Sequence, residues 1–379
     1  MSFADYDFGL DAAGEARARA LHERSVVVDT LFQGPYGYRS FTGDVDKELQ
    51  TSPYASNALA MWVVANELML RRAVTGEFSE FETCWRQSGI TAAGWEFASH
   101  DSGLMLHSMR LVTLALDNLP WLEKALKAVD IRRAKADGRH ALYLQNQPHG
   151  LSRDLTLLEV AYDFGLRQQM LTYNDQDFVG SGCTAVDSGL TRFGRQVVRH
   201  LNELGVIVDT AHCGKQTTLD ACAVSEAPVI ASHTGAEALH RHARLKSDEE
   251  LDALAGTGGV IAVCAVPFFL SADRPATVDA LLDHVDHIVE RVGPQHVALG
   301  TDWPLPLPKW VLSGLADAVA DVGFRPEDDV RGEDNLVGFD DYRDMPNITR
   351  GLVARGYTDE EVEGILGENF LRVFEQVCG

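Results

Sequence analysis

The chain has 379 residues, 45% of them hydrophobic and 23% charged, a composition typical of a globular enzyme and not of a disordered chain. Its 56 acidic and 33 basic residues give a formal net charge of −23, so its field repels nucleic acid and anionic membrane surfaces. Residues 1–24 lack the apolar stretch of a secretory signal, no apolar run is long enough to predict a membrane span, and the six cysteines form no CxxC pair. These features predict a cytoplasmic protein with reduced thiols.

Short β-branched segments alternate with amphipathic segments from about residue 137 onward, as in parallel strands joined by helices. These strands are continuous apolar runs, as expected when both faces of a sheet are covered. In chain order, strands are predicted at 25–29, 90–93, 141–145, 169–173, 206–210, 228–232, 259–264 and 296–301. About eight strands favour an α/β fold of the (β/α)₈ barrel type over an open sheet, as a single domain over 1–379.

The helices follow from apolar residues at three- and four-residue spacing. Besides the helices between the strands, the pattern predicts an N-terminal helix around 12–20 and an inserted helix near 55–70. A Pro- and acid-rich segment, 304–339, is predicted as a loop before three closing helices within 341–377. His284 and His287 lie three residues apart on the helix near 278–292, and their acidic neighbours predict a solvated face rather than a metal site.

Polar residues follow three of the predicted strands directly. His212 follows strand 206–210, His233 follows 228–232 and Asp302 follows 296–301. Catalytic groups of a (β/α)₈ barrel lie at the carboxyl ends of its strands, so these side chains are expected to converge. Two imidazoles and a carboxylate suit zinc, which predicts a metal site of His212, His233 and Asp302. The alternative for Asp302 is a carboxylate that only braces a loop.

Three further polar residues lie at comparable positions. Tyr173 and Asn174 come directly after 169–172, the part of the fourth strand that precedes them, and Gln145 ends strand 141–145. Tyr173 is predicted to act in catalysis, and Asn174 and Gln145 to bind substrate. Alternatively, Tyr173 and Asn174 only support Asp175.

Several motifs together resemble one known family. The segments GLTRFG (189–194), LGVIVDTAH (204–212), APVIASHT (227–234), LGTD (299–302) and LGENF (366–370) are similar to the membrane (renal) dipeptidases, peptidase family M19. The resemblance covers nearly the whole chain and implies a (β/α)₈ hydrolase of dipeptides or related amides with two zinc ions, usually dimeric. It implies that His212 and His233 bind the second metal, that Asp302 binds the first metal and handles the proton, and that Arg244 holds the substrate carboxylate.

The chain departs from the family pattern at four positions. The family's first strand ends in a histidine and an aspartate that bind the first metal, where this chain has Leu31 and Gln33. Gln145 replaces the bridging glutamate, and Tyr173 replaces a pocket histidine. Because leucine cannot ligate and the two amides carry no charge to offset two Zn²⁺ ions, at most one zinc is expected. It would be held by His212 and His233, completed by Asp302 or the Gln145 carbonyl with water; the alternative is no metal.

The residues therefore predict a dipeptidase-like hydrolase of a small amide or amino-acid derivative, in which Arg244 anchors a carboxylate, Tyr173 orients the substrate, and Asp302 or the metal activates water. Two alternatives remain open: an isomerase, tautomerase or lyase with little or no metal, and a non-catalytic binding protein. The expected partners are a small-molecule substrate and a second copy of the chain, without nucleic acid or membrane.

Overall fold

The computed structural model describes residues 6–97, 101–147 and 152–379. Within them, one sheet of parallel strands runs in the order β1-β2-β4-β5-β6-β7-β8-β9, and β3 pairs with the first half of β4. The strands are β1 Val28–Asp29, β2 Ala92–Glu96, β3 Leu122–Lys124, β4 His140–Asn146, β5 Leu166–Met170, β6 Ile207–Asp209, β7 Val229–Thr234, β8 Ile261–Val263 and β9 Val297–Leu299.

The last strand returns to the first. The backbone N–H of Thr30 donates to the carbonyl of Leu299 at 3.0 Å, and that of Asp302 donates to the carbonyl of Leu31 at 2.9 Å. Eight strands thus form a nearly closed parallel barrel with helices around it. This confirms the predicted (β/α)₈ fold.

The helices, within the described residues, are α1 Ala12–Arg24, α2 Gly43–Gln50, α3 Ala58–Thr75, α4 Glu80–Ser88, α5 Ser102–Asn118, α6 Ala128–Ala136, α7 Thr156–Phe164, α8 Arg192–Leu204, α9 Lys215–Val224, α10 Asp248–Gly256, α11 Pro267–Leu270, α12 Val278–Val292, α13 Lys309–Leu312, α14 Leu315–Ala320, α15 Met345–Ala354, α16 Asp359–Glu363 and α17 Asn369–Cys378. Capping residues in the sequence explain where helices begin and end. In α8, for example, the Thr191 hydroxyl accepts from the N–H of Gly194 at 2.9 Å, and Gly205 ends the helix at φ +76°. None of the helices in the described part of the chain is long and apolar enough to span a membrane.

Most predicted elements are confirmed, with three corrections. The strand expected at 169–173 is β5, which ends at Met170, so Tyr173 lies in the following loop and not on a strand. The segment 304–339 is not a plain loop, because it contains α13 and α14. The strand β3 and the helices α4, α5 and α6 were not predicted at all.

The interior of the barrel is filled at the end where the strands begin. Inward-facing residues of the strands pack against α17, and the ring of Tyr143 lies 5.3 Å from those of both Phe370 and Phe374. Their burial excludes water from this end of the barrel. The carboxyl ends of the strands, where the polar residues predicted for the site lie, form the other end.

At that other end, one glycine allows a close approach of neighbouring strands. A Cβ at Gly300 would lie 1.7 Å from the carbonyl oxygen of Ser232, closer than any side chain allows. Gly300 therefore lets the end of β9 approach β7 closely. Asp302, two residues on, takes the left-handed backbone conformation with φ 54°, which aspartate tolerates better than most residues.

Candidate active site

A cavity of about 590 Å³ opens at the carboxyl ends of the strands. This is the size and position expected for a small-molecule site in such a barrel. The polar residues on its wall include Gln33, Glu96, Gln145, Tyr173, His212 and Asp302. The structure thus brings four of the predicted site residues to one cavity, and it adds Glu96 and Gln33.

His212 is held in one orientation by Asn174. The Nδ1 atom of His212 lies 2.7 Å from Oδ1 of Asn174, while the Asn174 amide donates to the carbonyl of Val322 at 3.0 Å. Because the amide nitrogen is committed to Val322, the Asn174 oxygen faces His212 and accepts its Nδ1 proton. The lone pair of the imidazole is then on Nε2. Asn174 does not line the cavity; it acts on the site through His212.

His233 lies next to His212, with 4.9 Å between the ring centroids. The Ser232 hydroxyl donates to Asp209 at 2.5 Å and therefore accepts from Nδ1 of His233 at 2.8 Å. The Nε2 atom of His233 is buried and has no hydrogen-bond partner among the residues that the structure describes. Burial, assisted by the positive charge of Arg244, holds the pKa of His233 well below its usual range, so the ring is neutral.

The two imidazoles are suitable metal donors, but the family's two-zinc centre does not fit these residues. Leu31 and Gln33 occupy the positions of the first-metal ligands, and the amide of Gln145 donates to Glu96 at 2.9 Å instead of bridging two ions. Among the described residues, no group of three or more His, Cys, Asp or Glu side chains is placed to hold a metal ion. Within those residues, His212 and His233 lie together without a third such side chain, and their use as zinc ligands with Asp302 stays a prediction.

Asp302 is tied to Gln33. The side-chain amide of Gln33 donates to Oδ1 of Asp302 at 2.6 Å, and the Trp62 indole N–H donates to the Gln33 oxygen at 3.1 Å. Burial raises the pKa of Asp302 to about 6, although the Gln33 bond and the charge of Arg244 both lower it. Asp302 is therefore an ionised carboxylate near neutral pH, whose pKa suits a general base.

Glu96, at the end of β2, is the acidic residue that the sequence interpretation missed. Its carboxyl accepts hydrogen bonds from the Gln145 side chain at 2.9 Å and from the backbone N–H of Gln147 at 3.3 Å. Burial raises its pKa to about 8 against those bonds, and the negative charge of Asp302 adds to the rise. Glu96 is thus protonated at neutral pH while Asp302 is not. The Oε1 atom of Gln145 is buried with no partner.

Tyr173 stacks on His212, with ring centroids 4.0 Å apart and 20° between the planes. Burial raises the pKa of its phenol, so the hydroxyl keeps its proton at any pH the protein experiences. Tyr173 can therefore donate a hydrogen bond inside the cavity but cannot serve as a base.

Arg244 lies beneath the site and does not line the cavity. It is 1% exposed, and its guanidinium donates to the backbone carbonyls of Ala211, which precedes His212, and of His233, the latter at 3.2 Å. Its Nε is buried without a partner. In this arrangement Arg244 braces the two histidine-bearing segments. Its contact with a substrate carboxylate stays a prediction.

The two histidines on α12 are each hydrogen-bonded within the protein, and the prediction was wrong for one of them. His284 is buried, its Nδ1 accepts from the N–H of Ala236 at 2.9 Å, and its Nε2 lies 3.0 Å from the carbonyl of Leu270. The predicted solvated face is therefore wrong for His284. For His287 the prediction of a solvated face with acidic neighbours is correct. This residue is partly exposed, and its Nε2 lies 3.0 Å from Oδ1 of Asp248.

Comparison with known proteins places the chain in a family. The family model described as membrane dipeptidase (peptidase family M19) matches residues 15–319 and 328–378. The dipeptidase tcpJ of Claviceps purpurea is 31% identical over 261 residues, which cover 68% of this chain and 55% of that protein. The match thus spans about half the length of this curated relative.

Solved structures agree on the fold. An amidohydrolase from Pseudomonas aeruginosa superposes with a TM-score of 0.71 at 24% identity, covering 95% of this chain and 98% of its own. The probable dipeptidase PvdM from Pseudomonas aeruginosa also gives a TM-score of 0.71, at 20% identity, covering 97% and 99%. At these identities the likeness shows the fold alone.

Proposed function

Because the chain belongs to the membrane dipeptidase family, peptidase family M19, we propose that it hydrolyses a small amide or amino-acid derivative and uses at most one metal ion to do so. The observation that carries the proposal is that two carboxyl groups, Asp302 and Glu96, open into the same cavity at the carboxyl ends of the strands. Their surroundings hold their pKa values apart, at about 6 and about 8. This is the arrangement that lets one carboxyl act as base and the other as acid.

The reaction uses these groups in sequence. Asp302 takes a proton from water as the water oxygen bonds to the amide carbon, and the carbonyl oxygen gains negative charge. The Tyr173 hydroxyl donates a hydrogen bond to that oxygen. The carbon–nitrogen bond then breaks as Glu96 gives its proton to the leaving nitrogen. The products are a carboxylic acid and an amine, and the proton on Asp302 returns to Glu96 through water.

The limit of one metal rests on the donor set. His212 and His233 are two nitrogen donors where a catalytic zinc uses three protein ligands, and Leu31 and Gln33 supply none for a second ion. No step above depends on a metal. Elemental analysis of the purified protein tests this limit: we expect at most one Zn per chain, and two per chain would refute it.

Three finer features are predictions within this proposal. Arg244 is predicted to meet a substrate carboxylate with the N–H groups that its bonds to the carbonyls of Ala211 and His233 leave unused. The chain is also predicted to form a homodimer and to reside in the cytoplasm.

The reaction is tested by screening dipeptides and N-acyl amino acids in ¹⁸O-labelled water. Hydrolysis places one labelled oxygen in the carboxylic acid product. We expect Asp302→Asn and Glu96→Gln each to lower kcat/KM by about 10²- to 10⁴-fold, the usual contribution of a general acid or base. Labelled product at unchanged rates in both variants would refute the assigned roles.

Isomerisation or elimination is a second candidate, which the paired carboxyls support because proton transfer alone would suffice. The same labelled-water experiment separates the two functions. An isomerase or tautomerase incorporates no ¹⁸O but exchanges a carbon-bound proton with D₂O. Ligand binding without either label would indicate the third alternative, a binding protein.

A further inference from the structure

The described residues on the cavity wall divide into a polar end and an apolar end. Away from the cluster of Asp302 and Glu96, most of them are apolar, among them Leu59, Val63, Leu104, Leu111, Val319 and Phe324. The polar side chains on this side include Asn66, His107 and Ser108, and no carboxylate, arginine or lysine is among the described ones. A substrate that fills the cavity therefore meets carboxyl and amide groups at one end and hydrocarbon at the other.

The apolar end is built by segments added to the barrel. Helix α3 lies over the carboxyl end of the barrel and contacts α5, α13 and α14. Leu59 and Val63 come from α3, Leu104 and Leu111 from α5, and Val319 from α14. The polar cluster uses one group of this cover, the Trp62 indole of α3, which donates to Gln33, and this bond does not account for the apolar surface.

The cover is also incompletely packed. Leu104 is 49% exposed and Val63 is 38% exposed, although both belong to the wall of an interior cavity. Apolar side chains that face an open space continuous with a polar cluster are typical of a ligand site, since a well-packed core leaves no such space. A small polar dipeptide would leave this wall in contact with water.

We infer that the substrate amide carries an extended apolar group, such as a medium-length alkyl chain, which occupies the space between α3, α5 and α14. The inference rests on the proposed amide hydrolysis for the identity of the bond, and on the cavity alone for the apolar group. The amide lies against Asp302 and Glu96, and the chain extends away from them under the cover.

Binding of a non-hydrolysable series tests the inference without requiring turnover. N-alkylsulfonylglycines are isosteres of N-acylglycines, so methane-, butane-, hexane- and octanesulfonylglycine can be titrated into the full-length protein by calorimetry. A matching series with the chain on the amine side, the N-methanesulfonyl derivatives of linear 2-aminoalkanoic acids of increasing length, covers the other orientation. We expect the dissociation constant to fall about fourfold per added methylene in at least one series, as for transfer of a buried CH₂ from water.

Two variants of the same helix locate the site. In Leu104→Asp the new carboxylate faces the apolar chain, and we expect roughly tenfold weaker binding of the octane probe with little change for the methane probe. Leu106→Asp is the matched control, because Leu106 is 68% exposed and does not line the cavity. It should leave both affinities unchanged. If Leu104→Asp lowers the melting temperature, Val63→Asp on α3 makes the same test.

The outcomes separate this inference from the proposed hydrolysis. Dissociation constants that do not depend on chain length in either series, or equal effects of Leu104→Asp and Leu106→Asp, would overturn the inference. Chain-length dependence with no ¹⁸O incorporation from the corresponding N-acylglycines would support the apolar site and refute hydrolysis of this amide. Hydrolysis that does not speed up with chain length, together with flat binding, would retain the hydrolase and reject the apolar group.

Discussion

The most informative perturbation is Glu96→Gln, because it removes the acidic proton and at most one hydrogen bond. Glutamine has the shape of the protonated acid, and its one oxygen can accept from either the Gln145 side chain or the N–H of Gln147, which bond to different oxygens of Glu96. The variant should therefore fold as the parent does. What it loses is the acidic proton that the proposed reaction gives to the leaving nitrogen.

The size and pH dependence of the loss follow from the pKa values. With a pKa of about 8, Glu96 is about 90% protonated at pH 7 and about 10% protonated at pH 9. Asp302, with a pKa of about 6, becomes an effective base as the pH rises through that value. The parent enzyme should thus give a bell-shaped plot of kcat/KM, rising near pH 6 and falling near pH 8. Glu96→Gln should lower the maximum by about 10²- to 10⁴-fold and abolish the fall on the alkaline side.

The assay is kcat/KM from pH 5 to 10 at constant ionic strength for both proteins, with the substrate found in the labelled-water screen. Buffers without metal-chelating groups keep any bound ion in place. An alkaline fall that persists unchanged in Glu96→Gln would show that another group titrates there, and the assignment of Glu96 as the acid would be wrong. A substrate with a better leaving group gives a second check, since its hydrolysis should suffer less from the substitution.

Three further substitutions test other parts of the site. Asp302→Asn should remove the rise of kcat/KM near pH 6, because the base is gone; a pH profile with the rise intact contradicts the role of Asp302. Ser232→Ala should cost about 1–3 kcal/mol in the free energy of unfolding measured with urea, because Asp209 loses a donor and His233 loses the acceptor of its Nδ1 proton. Arg244→Met should lower the free energy of unfolding by about 3 kcal/mol, the worth of two charged hydrogen bonds to backbone carbonyls. If KM rises for carboxylate substrates but not for their amides, Arg244 also contacts the substrate; an unchanged stability would refute its bracing role.

The barrel could be predicted from the sequence because its strands are short apolar runs between amphipathic helices. This alternation of strand and helix is not recognisable where insertions interrupt it. Helix α3 was recognised, but α4, α5 and α6 precede the region where the alternation becomes clear, and β3 has only three residues. The insertions that form the cavity cover follow no rule of barrel geometry, so the apolar end of the site was not foreseen.

The sequence predicts those site residues whose role follows from a position at the end of a strand. His212, Asp302 and Tyr173 line the cavity as such a reading expects. Arg244 shows the limit of this reading, because a motif position does not tell whether a guanidinium points into a cavity or against two backbone carbonyls. Asn174 shows the same limit, since only coordinates reveal that its oxygen faces His212.

Glu96 was missed because the predicted strand, 90–93, stops three residues before it, whereas β2 runs to Glu96. The structure pairs Glu96 with Gln145, whose amide donates to Glu96 at 2.9 Å. A glutamate at position 145 would instead set two carboxyls side by side, and one of them would have to be protonated. The amide of Gln145 is therefore compatible with a carboxyl group at position 96. Together the two residues favour a site that works by proton transfer, whereas the family's pattern has a glutamate that bridges two metal ions.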